Sequence, residues 1–298
     1  MIVSTNSCKL LKTWLFTASL FLAATPSHIH AQETPYFVTY SQDLEEPGNL
    51  ELETKSLVAR PDGASRFGAT ALELEYGTRA WWTSELYLDG QTTAHDSTIF
   101  TGFRLENRFR PLMREHLFNP LLYVEYESIS GADKALLEVV GHDGAADLAG
   151  PNAEARVEQK HEGELKLILS SYVKDWNISE NFIAEKNLGH APWEFGYAAG
   201  VSRALPGSSR GCWYCPSRFA TGVEAYGGLG DTAALTLRDT SHYIAPTLSW
   251  QLPRNTRFTF SPNFGLTSNS LDHFYRIGLA VEMKQIRSAF LHERRSGL

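Results

Sequence analysis

The residues with the clearest potential for chemistry are ionisable side chains that recur at every second position of the chain. Seven of them form three short runs: Glu73, Glu75, Arg104, Glu106, Arg108, Glu125 and Glu127. A period of two places the members of each run on one face of a β-strand. Acidic and basic groups on such a face can line a pore that selects ions, or they can pair across neighbouring strands as a ladder. The residue types alone leave both interpretations open.

A second candidate is the pair of cysteines in Cys212-Trp-Tyr-Cys215. A thioredoxin-type redox pair is followed by a helix, and no helical pattern follows here. Covalent haem attachment requires a histidine at position 216, which is Pro216. A structural zinc ion requires four ligands, and the sequence has no second cysteine pair. We therefore predict a local disulfide that closes the turn 206–217, with a redox or metal role as the alternative.

The elements that must position these residues are strands. From about residue 48, apolar and polar residues alternate in segments of about ten to fourteen residues, separated by Gly, Pro, Asn and Asp. The alternation predicts twelve strands: 48–59, 66–77, 80–90, 97–109, 119–130, 156–173, 178–188, 193–205, 218–229, 242–252, 256–268 and 273–284. Such lengths exceed the roughly five or six residues usual in soluble sheets. They match the roughly nine to eleven residues that cross a bilayer at a tilt.

Composition excludes several classes of protein. The chain has 298 residues and a formal net charge of -7, and it is 43% hydrophobic and 20% charged. These values exclude a disordered chain, and the lack of a clustered basic surface argues against a nucleic-acid partner. No segment after residue 31 reaches the roughly 18 to 20 consecutive apolar residues of a membrane-spanning helix.

The first 31 residues have the organisation of a signal peptide. Lys9 and Lys12 precede an apolar run, Trp14–Ala24, and a small residue, Ala31, marks the expected cleavage site. The apolar run is too short for the alternative, an N-terminal membrane anchor. Export would deliver the chain to an oxidising compartment, in which a disulfide is stable.

Long strands and an export signal together predict an all-β fold, an antiparallel transmembrane β-barrel of about 12 strands in the outer membrane of a Gram-negative bacterium. The alternative is a soluble barrel with its apolar face inward. Aromatic residues near strand ends, such as Trp82 and Trp250, favour the membrane. We expect four regions: the signal peptide 1–31, a periplasmic lead-in 32–47, the barrel 48–284 and a C-terminal extension 285–298.

Two motifs resemble known outer-membrane proteins. The last strand, Arg276-x-Gly278-x-x-Val281-x-Met283, is similar to the signal that hands such barrels to the barrel-assembly machinery, although the chain continues beyond it. The hairpin 71–88 contains ALELEYG and WTSELYL. It resembles a hairpin of uncharacterised barrels grouped with the proposed phenol-degradation transporters of the MetA type. This resemblance implies an outer-membrane location and a role in transport.

The histidines do not form a catalytic signature. His95-Asp96 and His142-Asp143 could each bind a metal ion, but isolated pairs of this kind are typical of solvated loops. The other histidines are scattered, without the grouping with serine or aspartate that a barrel hydrolase needs. We predict no enzymatic activity, no cofactor and no metal, and an outer-membrane hydrolase is the alternative of a different class.

If the apolar faces meet outer-membrane lipids, the charged faces line the lumen. We therefore predict a passive transporter or porin-like channel for small polar or cationic solutes. Its narrowest ring comprises Arg104, Glu106, Arg108, Glu125 and Glu127, with Glu73 and Glu75 on the adjoining acidic wall. The alternative is a filled, salt-bridged interior. In that case the closed barrel would act as a scaffold, or it would bind at the cell surface through the loop 131–152.

Overall fold

The computed structural model describes residues 34–189, 191–207 and 212–286. Within these ranges the chain forms twelve strands: β1 Leu50–Ala59, β2 Phe67–Arg79, β3 Trp82–Thr93, β4 Thr98–Phe109, β5 Asn119–Ser130, β6 Gln159–Val173, β7 Trp176–Asn187, β8 Trp193–Ala204, β9 Phe219–Asp231, β10 His242–Leu252, β11 Thr256–Gly265 and β12 His273–Met283. The predicted signal peptide and most of the predicted C-terminal extension lie outside the described residues.

The helical elements are short. Between residues 34 and 285, the described ranges contain one α-helix, α1, at Asn152–Ala155, and two 3₁₀ turns at Asp147–Ala149 and Pro216–Arg218. No helix in the described ranges is long and apolar enough to span a membrane.

The twelve strands form one closed sheet. Each strand pairs antiparallel with its neighbours in the chain, and β1 pairs with β12 to complete the barrel. The predicted all-β, antiparallel barrel of about 12 strands is therefore confirmed. Closure leaves no free sheet edge, so the backbone N–H and C=O groups of the outer strands also find hydrogen-bond partners. A sheet in a lipid environment requires this, because lipid supplies none.

The outer surface of the barrel is apolar and its inner surface is polar. On β6, Leu165 and Leu167 are 47% and 41% exposed, whereas the alternate residues Glu164 and Lys166 are buried. The alternation of the sequence thus points leucines outward and ionised groups inward, the reverse of a soluble barrel. A continuous apolar outer face of this kind is covered by lipid, and the protein is an outer-membrane β-barrel.

The two ends of the barrel differ in their connections. Three short turns, 80–81, 174–175 and 253–255, lie at the end where β1 begins and β12 ends. Lys174 and Asp175 both have positive φ, 50° and 68°, as a type I′ turn requires, and the twist of that turn matches the twist of the strands. Short turns of this kind lie on the periplasmic side of outer-membrane barrels, so we call this the periplasmic end.

The opposite, extracellular end carries the longest connection of the barrel. The segment 131–158 joins β5 to β6 and contains the 3₁₀ turn and α1. The periplasmic end has two longer turns of its own, 110–118 and 205–218.

Candidate functional site in the lumen

The seven ionisable residues singled out in the sequence all lie on the inner face of the barrel. They belong to β2, β4 and β5, which share one side of the wall with β3. Six of the seven are buried and Glu75 is half-buried. The structure therefore brings the predicted ring and the adjoining acidic wall together in one lumen.

Strand register aligns carboxylates across most of the wall. Ten acidic residues on ten consecutive strands lie directly opposite one another, and we call them the carboxylate row: Glu282, Glu51, Glu75, Glu85, Glu106, Glu125, Glu164, Glu185, Glu194 and Asp231. The row begins near the periplasmic end of β12 and finishes at the last residue of β9, at the extracellular end. Tilted strands convert a constant register into a spiral, so the row climbs through the lumen.

Arg108 neutralises the periplasmic half of the ring. Its Nη2 lies 2.6 Å from Oε1 of Glu75, and its Nε lies 3.0 Å from Oε1 of Glu106. The same guanidinium also pairs with Glu85. Three members of the carboxylate row thus share one cation. Nearby, Lys55 forms a separate pair with Glu73 at 2.6 Å.

Arg104 neutralises the extracellular half of the ring and also contacts carboxylates of a loop. Its Nε lies 2.9 Å from Oδ2 of Asp89, and its Nη1 lies 3.0 Å from Oε2 of Glu127. Two further carboxylates come from the connection 131–158: Asp133 at 3.1 Å and Glu138 at 3.3 Å. Arg104 therefore joins two neighbouring strands to a loop that enters the lumen.

The segment 34–47 lies inside the barrel. The backbone N–H groups of Phe37, Val38 and Thr39 donate to the carboxylate of Glu224, at 2.9, 2.9 and 2.7 Å. Glu224 is fully buried on β9. The sequence predicts a periplasmic lead-in at 32–47, whereas the structure places residues 34–47 in the lumen. The partners of a short apolar run such as Tyr36–Tyr40 are distant in sequence, so the run alone does not reveal this position.

Tyr40 carries this segment into the middle of the lumen. Its hydroxyl donates to Oε2 of Glu106 at 3.0 Å, and the Tyr87 hydroxyl donates to the same oxygen at 3.0 Å. On the neighbouring wall, Tyr123 donates to Oε2 of Glu125 at 2.6 Å. Burial, reinforced by Glu106, raises the pKa of Tyr40 well above its usual range, so the phenol keeps its proton. Tyr40 contacts Tyr87 of β3 and Tyr123 of β5, and the three tyrosines pack together on one side of the lumen.

The connection 131–158 also folds into the lumen, from the extracellular end. Leu137, Val139 and Val140 are buried, and Glu138 between them reaches both Arg104 and Lys166, whose Nζ lies 3.2 Å from Glu138 Oε2. Burial alone would raise the pKa of Glu138, but Lys166 and Arg104 outweigh burial and lower it. The sequence predicts a surface loop at 131–152, whereas in the structure this region lies inside the lumen, as the segment 34–47 does.

Strand β8 provides the room for both segments. A Cβ atom on Gly200 would lie 2.7 Å from the ring of Tyr36, and one on Gly196 would lie 2.6 Å from the carbonyl oxygen of Val139. Ala198 lies between the two glycines and is buried. The small residues that alternate along this strand therefore mark the surface against which the two segments pack.

The remaining space in the lumen is divided. Two cavities of about 520 and 430 Å³ lie towards the periplasmic end, the second bordered by Arg108. A smaller cavity of about 140 Å³ lies towards the extracellular end and is bordered by Arg104. Glu106 lies between these arginines on β4, and its side chain is fully buried. Glu106 therefore lies between the cavity bordered by Arg108 and the cavity bordered by Arg104.

The cysteines lie on the periplasmic rim, away from these contacts. Cys212 and Cys215 are bonded to each other, with Cα atoms 5.4 Å apart. Trp213 between them stacks on Trp250 at a ring distance of 5.1 Å, and Trp250 stacks on Phe219. The disulfide therefore accompanies an aromatic cluster at the position expected for an interfacial girdle.

Sequence reasoning missed several residues of the site. Glu164, Glu185 and Asp89 lie at inward positions of predicted strands, so the alternation could have identified them. The loop residues Asp133 and Glu138 are harder to find. A signal does exist, because the run ALLEVV at 135–140 is apolar in a loop otherwise rich in Gly, Ala and Asp, and such a run is typical of a buried segment.

Comparisons with known proteins concern the fold. No family model and no curated protein matches the sequence. The solved structures that resemble it include a KdgM porin in complex with disordered oligogalacturonate (7% identity, TM-score 0.46, covering 78% of this chain and 98% of that one), a NanC porin (12%, 0.46, 78% and 100%) and an outer membrane channel from Pseudomonas putida F1 (12%, 0.49, 88% and 100%). None of these tests the resemblance of the hairpin 71–88 to the MetA type, which stays a prediction.

Proposed function

We propose that the protein is a passive outer-membrane channel for small polar solutes, with a preference for cations. The carboxylate row carries this proposal, because it runs from one mouth of the barrel to the other. Ionisable groups within a membrane are costly, and they mark the paths of ions and polar solutes. A row of acidic groups along such a path favours cations.

The like charges of the row argue against a purely structural interior. Carboxylates directly opposite each other on neighbouring strands destabilise a sheet. A barrel that serves only as a scaffold would be more stable with neutral residues at these positions. Residue choices that lower the stability of the fold in this way are expected at functional sites.

Arg104, Glu106, Arg108, Glu125 and Glu127 are the residues that we assign to the constriction. Each of the two arginines holds several carboxylates in place, so the ring keeps a fixed shape and a reduced negative charge. The segment 34–47 occupies the lumen on the periplasmic side of this ring. In our proposal, conduction requires that segment to leave its position beside Glu224.

The experiment is single-channel conductance in a planar bilayer under a salt gradient. The refolded mature protein is compared with a variant that lacks residues 34–44. We expect rare, small steps for the wild type and frequent, larger steps for the deletion, with a reversal potential that favours cations. A Cys212→Ser/Cys215→Ser variant is the control, because it alters the periplasmic rim and leaves the lumen unchanged.

The competing function is a closed scaffold barrel. A deletion variant that inserts, shown by heat-modifiable gel mobility and protease protection, and yet conducts no ions would establish that alternative. A reversal potential that favours anions would contradict the assigned selectivity and leave the pore itself intact. The surface-binding role of 131–152 has less support, because Leu137, Val139 and Val140 are buried in the lumen.

A further inference from the structure

A small cavity between the barrel wall and the loop 131–158 contains three carboxylates from separate parts of the chain. Glu127 comes from β5, Glu185 from β7 and Glu138 from the loop, and all three line the cavity of about 140 Å³. One oxygen from each residue lies within 4.8 Å of an oxygen from each of the others. An ion with oxygen ligands at about 2.4 Å spans this separation, since two opposite ligands are then about 4.8 Å apart.

Glu185 is the observation that points to a ligand. The residue is only 8% exposed, and its carboxylate has no hydrogen bond or ion pair with the described part of the chain. Its neighbour Glu127 has Oε1 buried without a hydrogen-bond partner, while Oε2 faces Arg104. A buried carboxylate without a partner is unfavourable, so these oxygens require a cation or a proton.

The local charge balance favours a cation. Arg104 and Lys166 are in ion-pair contact with this region, and between them they contact Asp89, Glu125, Glu127, Asp133, Glu138 and Glu164. Glu185 adds a seventh carboxylate. Lys160 lines the same cavity, but three cations still leave an excess of negative charge.

The loop carboxylate is shared with a second group. Glu138 also lies within 4.8 Å of oxygens of Glu125 and Glu164, directly beside the first group. Oε1 of Glu125 and Oε2 of Glu164 are buried without hydrogen-bond partners. A carboxylate oxygen has two lone pairs, so Glu138 can bind an ion and keep its contacts with Arg104 and Lys166.

We propose that Glu127, Glu138 and Glu185 bind one divalent cation of the calcium class, and that this ion fastens the loop 131–158 to the barrel wall. The donor set consists only of carboxylate oxygens, which suits a hard cation and excludes a site of the zinc type with nitrogen or sulfur ligands. Calcium accepts irregular geometry and retains water, which matches three ligands from a wall and a loop. The site does not depend on whether the lumen conducts.

The test is calorimetric titration of the detergent-refolded mature protein with CaCl₂ in 150 mM NaCl. We expect one saturable site per chain for the wild type, and at least a tenfold weaker affinity for Glu185→Gln, which removes a carboxylate that has no other partner. Glu194→Gln is the matched control. It lies directly opposite Glu185 in the register and lines the same cavity, but it is outside the group of three.

A second readout follows the loop itself. Calcium is expected to protect Lys134 from trypsin in the wild type and in Glu194→Gln, and to have no effect in Glu185→Gln. Absence of saturable binding would overturn the proposal, because Glu185 would then be satisfied by a proton. An equal loss of affinity in Glu194→Gln and Glu185→Gln would also overturn it, in favour of diffuse attraction by an acidic lumen.

Discussion

The segment 34–47 and the loop 131–158 both fill the lumen, but different chemistry holds each of them. The segment is held by its backbone, since three consecutive amides donate to Glu224. The loop has backbone hydrogen bonds as well, such as Ala145 N–H to the carbonyl of Asn269, but in addition its own ionised side chains, Asp133 and Glu138, meet Arg104. A backbone-held segment tolerates changes in its own sequence, whereas a charge-held loop depends on the protonation of its side chains. The two can therefore be released independently.

Glu224→Ala is expected to have the largest effect, because it should release the segment 34–47 and leave the loop 131–158 docked. Hydrogen bonds to a charged group each contribute about 1.5–3 kcal/mol, so the loss of three favours release of the segment by roughly 5 kcal/mol, allowing for incomplete additivity. Chymotrypsin should then cleave after Phe37 or Tyr40, which the wild type protects. The loop should stay resistant to trypsin at Lys134.

Glu194→Gln is the control for this variant, because it alters a lumen carboxylate at the extracellular end. Continued protection of Phe37 in a folded Glu224→Ala protein would show that the side chains of the segment, and not its backbone, keep it in place. That outcome would remove the distinction between the two segments.

Arg104→Ala should release the loop in place of the segment. Removal of one partner from a buried ion pair costs about 3–5 kcal/mol, and here it leaves Asp133 and Glu138 without their shared cation. We expect faster tryptic cleavage at Lys134 and a lower Tm. Arg108→Ala is the matched variant, since Arg108 pairs with wall carboxylates and donates to the carbonyl oxygen of Asp43 in the segment.

Arg108→Ala should therefore loosen the segment and leave the loop protected. If both variants expose Lys134 equally, the two arginines act on one cooperative interior, and the segments are not independent. The conductance of the same proteins adds a second criterion, because loss of either cation makes the constriction more acidic and should shift the reversal potential further towards cations.

The sequence predicts the wall of this molecule far better than its interior. Strand alternation identifies all twelve strands, and it places Arg104, Glu106 and Arg108 on the inner face, because a period of two is local information. The carboxylate row depends on register between strands, which no single strand encodes. The inward folding of 34–47 depends on contacts between residues more than a hundred positions apart, such as Phe37 with Glu224. The inward folding of 131–158 depends on contacts with other strands, such as that of Glu138 with Arg104, 34 positions away.

Substitution of two glycines on β8 is expected to loosen the two lumen segments by a smaller amount. Gly200→Val places a side chain where Tyr36 packs, and Gly196→Val places one against Val139. Overpacking of this kind costs about 1–3 kcal/mol. The first variant should expose Phe37 to chymotrypsin and the second should expose Lys134 to trypsin, with no change in lumen charge. A crossed result, in which Gly200→Val releases the loop, would contradict the placement of the two segments along β8.

The smallest expected effect is the part of the pH dependence of the loop that Glu138 carries, because Glu138 is one contact among several. Lys166 and Arg104 hold the pKa of Glu138 below its ordinary value, against the opposing effect of burial. A lowered pKa in the folded state stabilises the docked loop fully above the unfolded value of about 4.3. This contribution is lost as the pH falls through the lower, folded value. The contribution of Glu138 to docking should therefore weaken only below about pH 4.3.

Hydrogen exchange of residues 131–158 between pH 3 and pH 6, corrected for the intrinsic rate, measures this loss. Glu138→Gln is the matched variant, because it keeps the shape of the side chain and removes its titration. The loop of the wild type should lose protection at acidic pH, and the loop of the variant should lack that step. An equal loss of protection in the variant would mean that groups other than Glu138 carry the pH dependence of the loop.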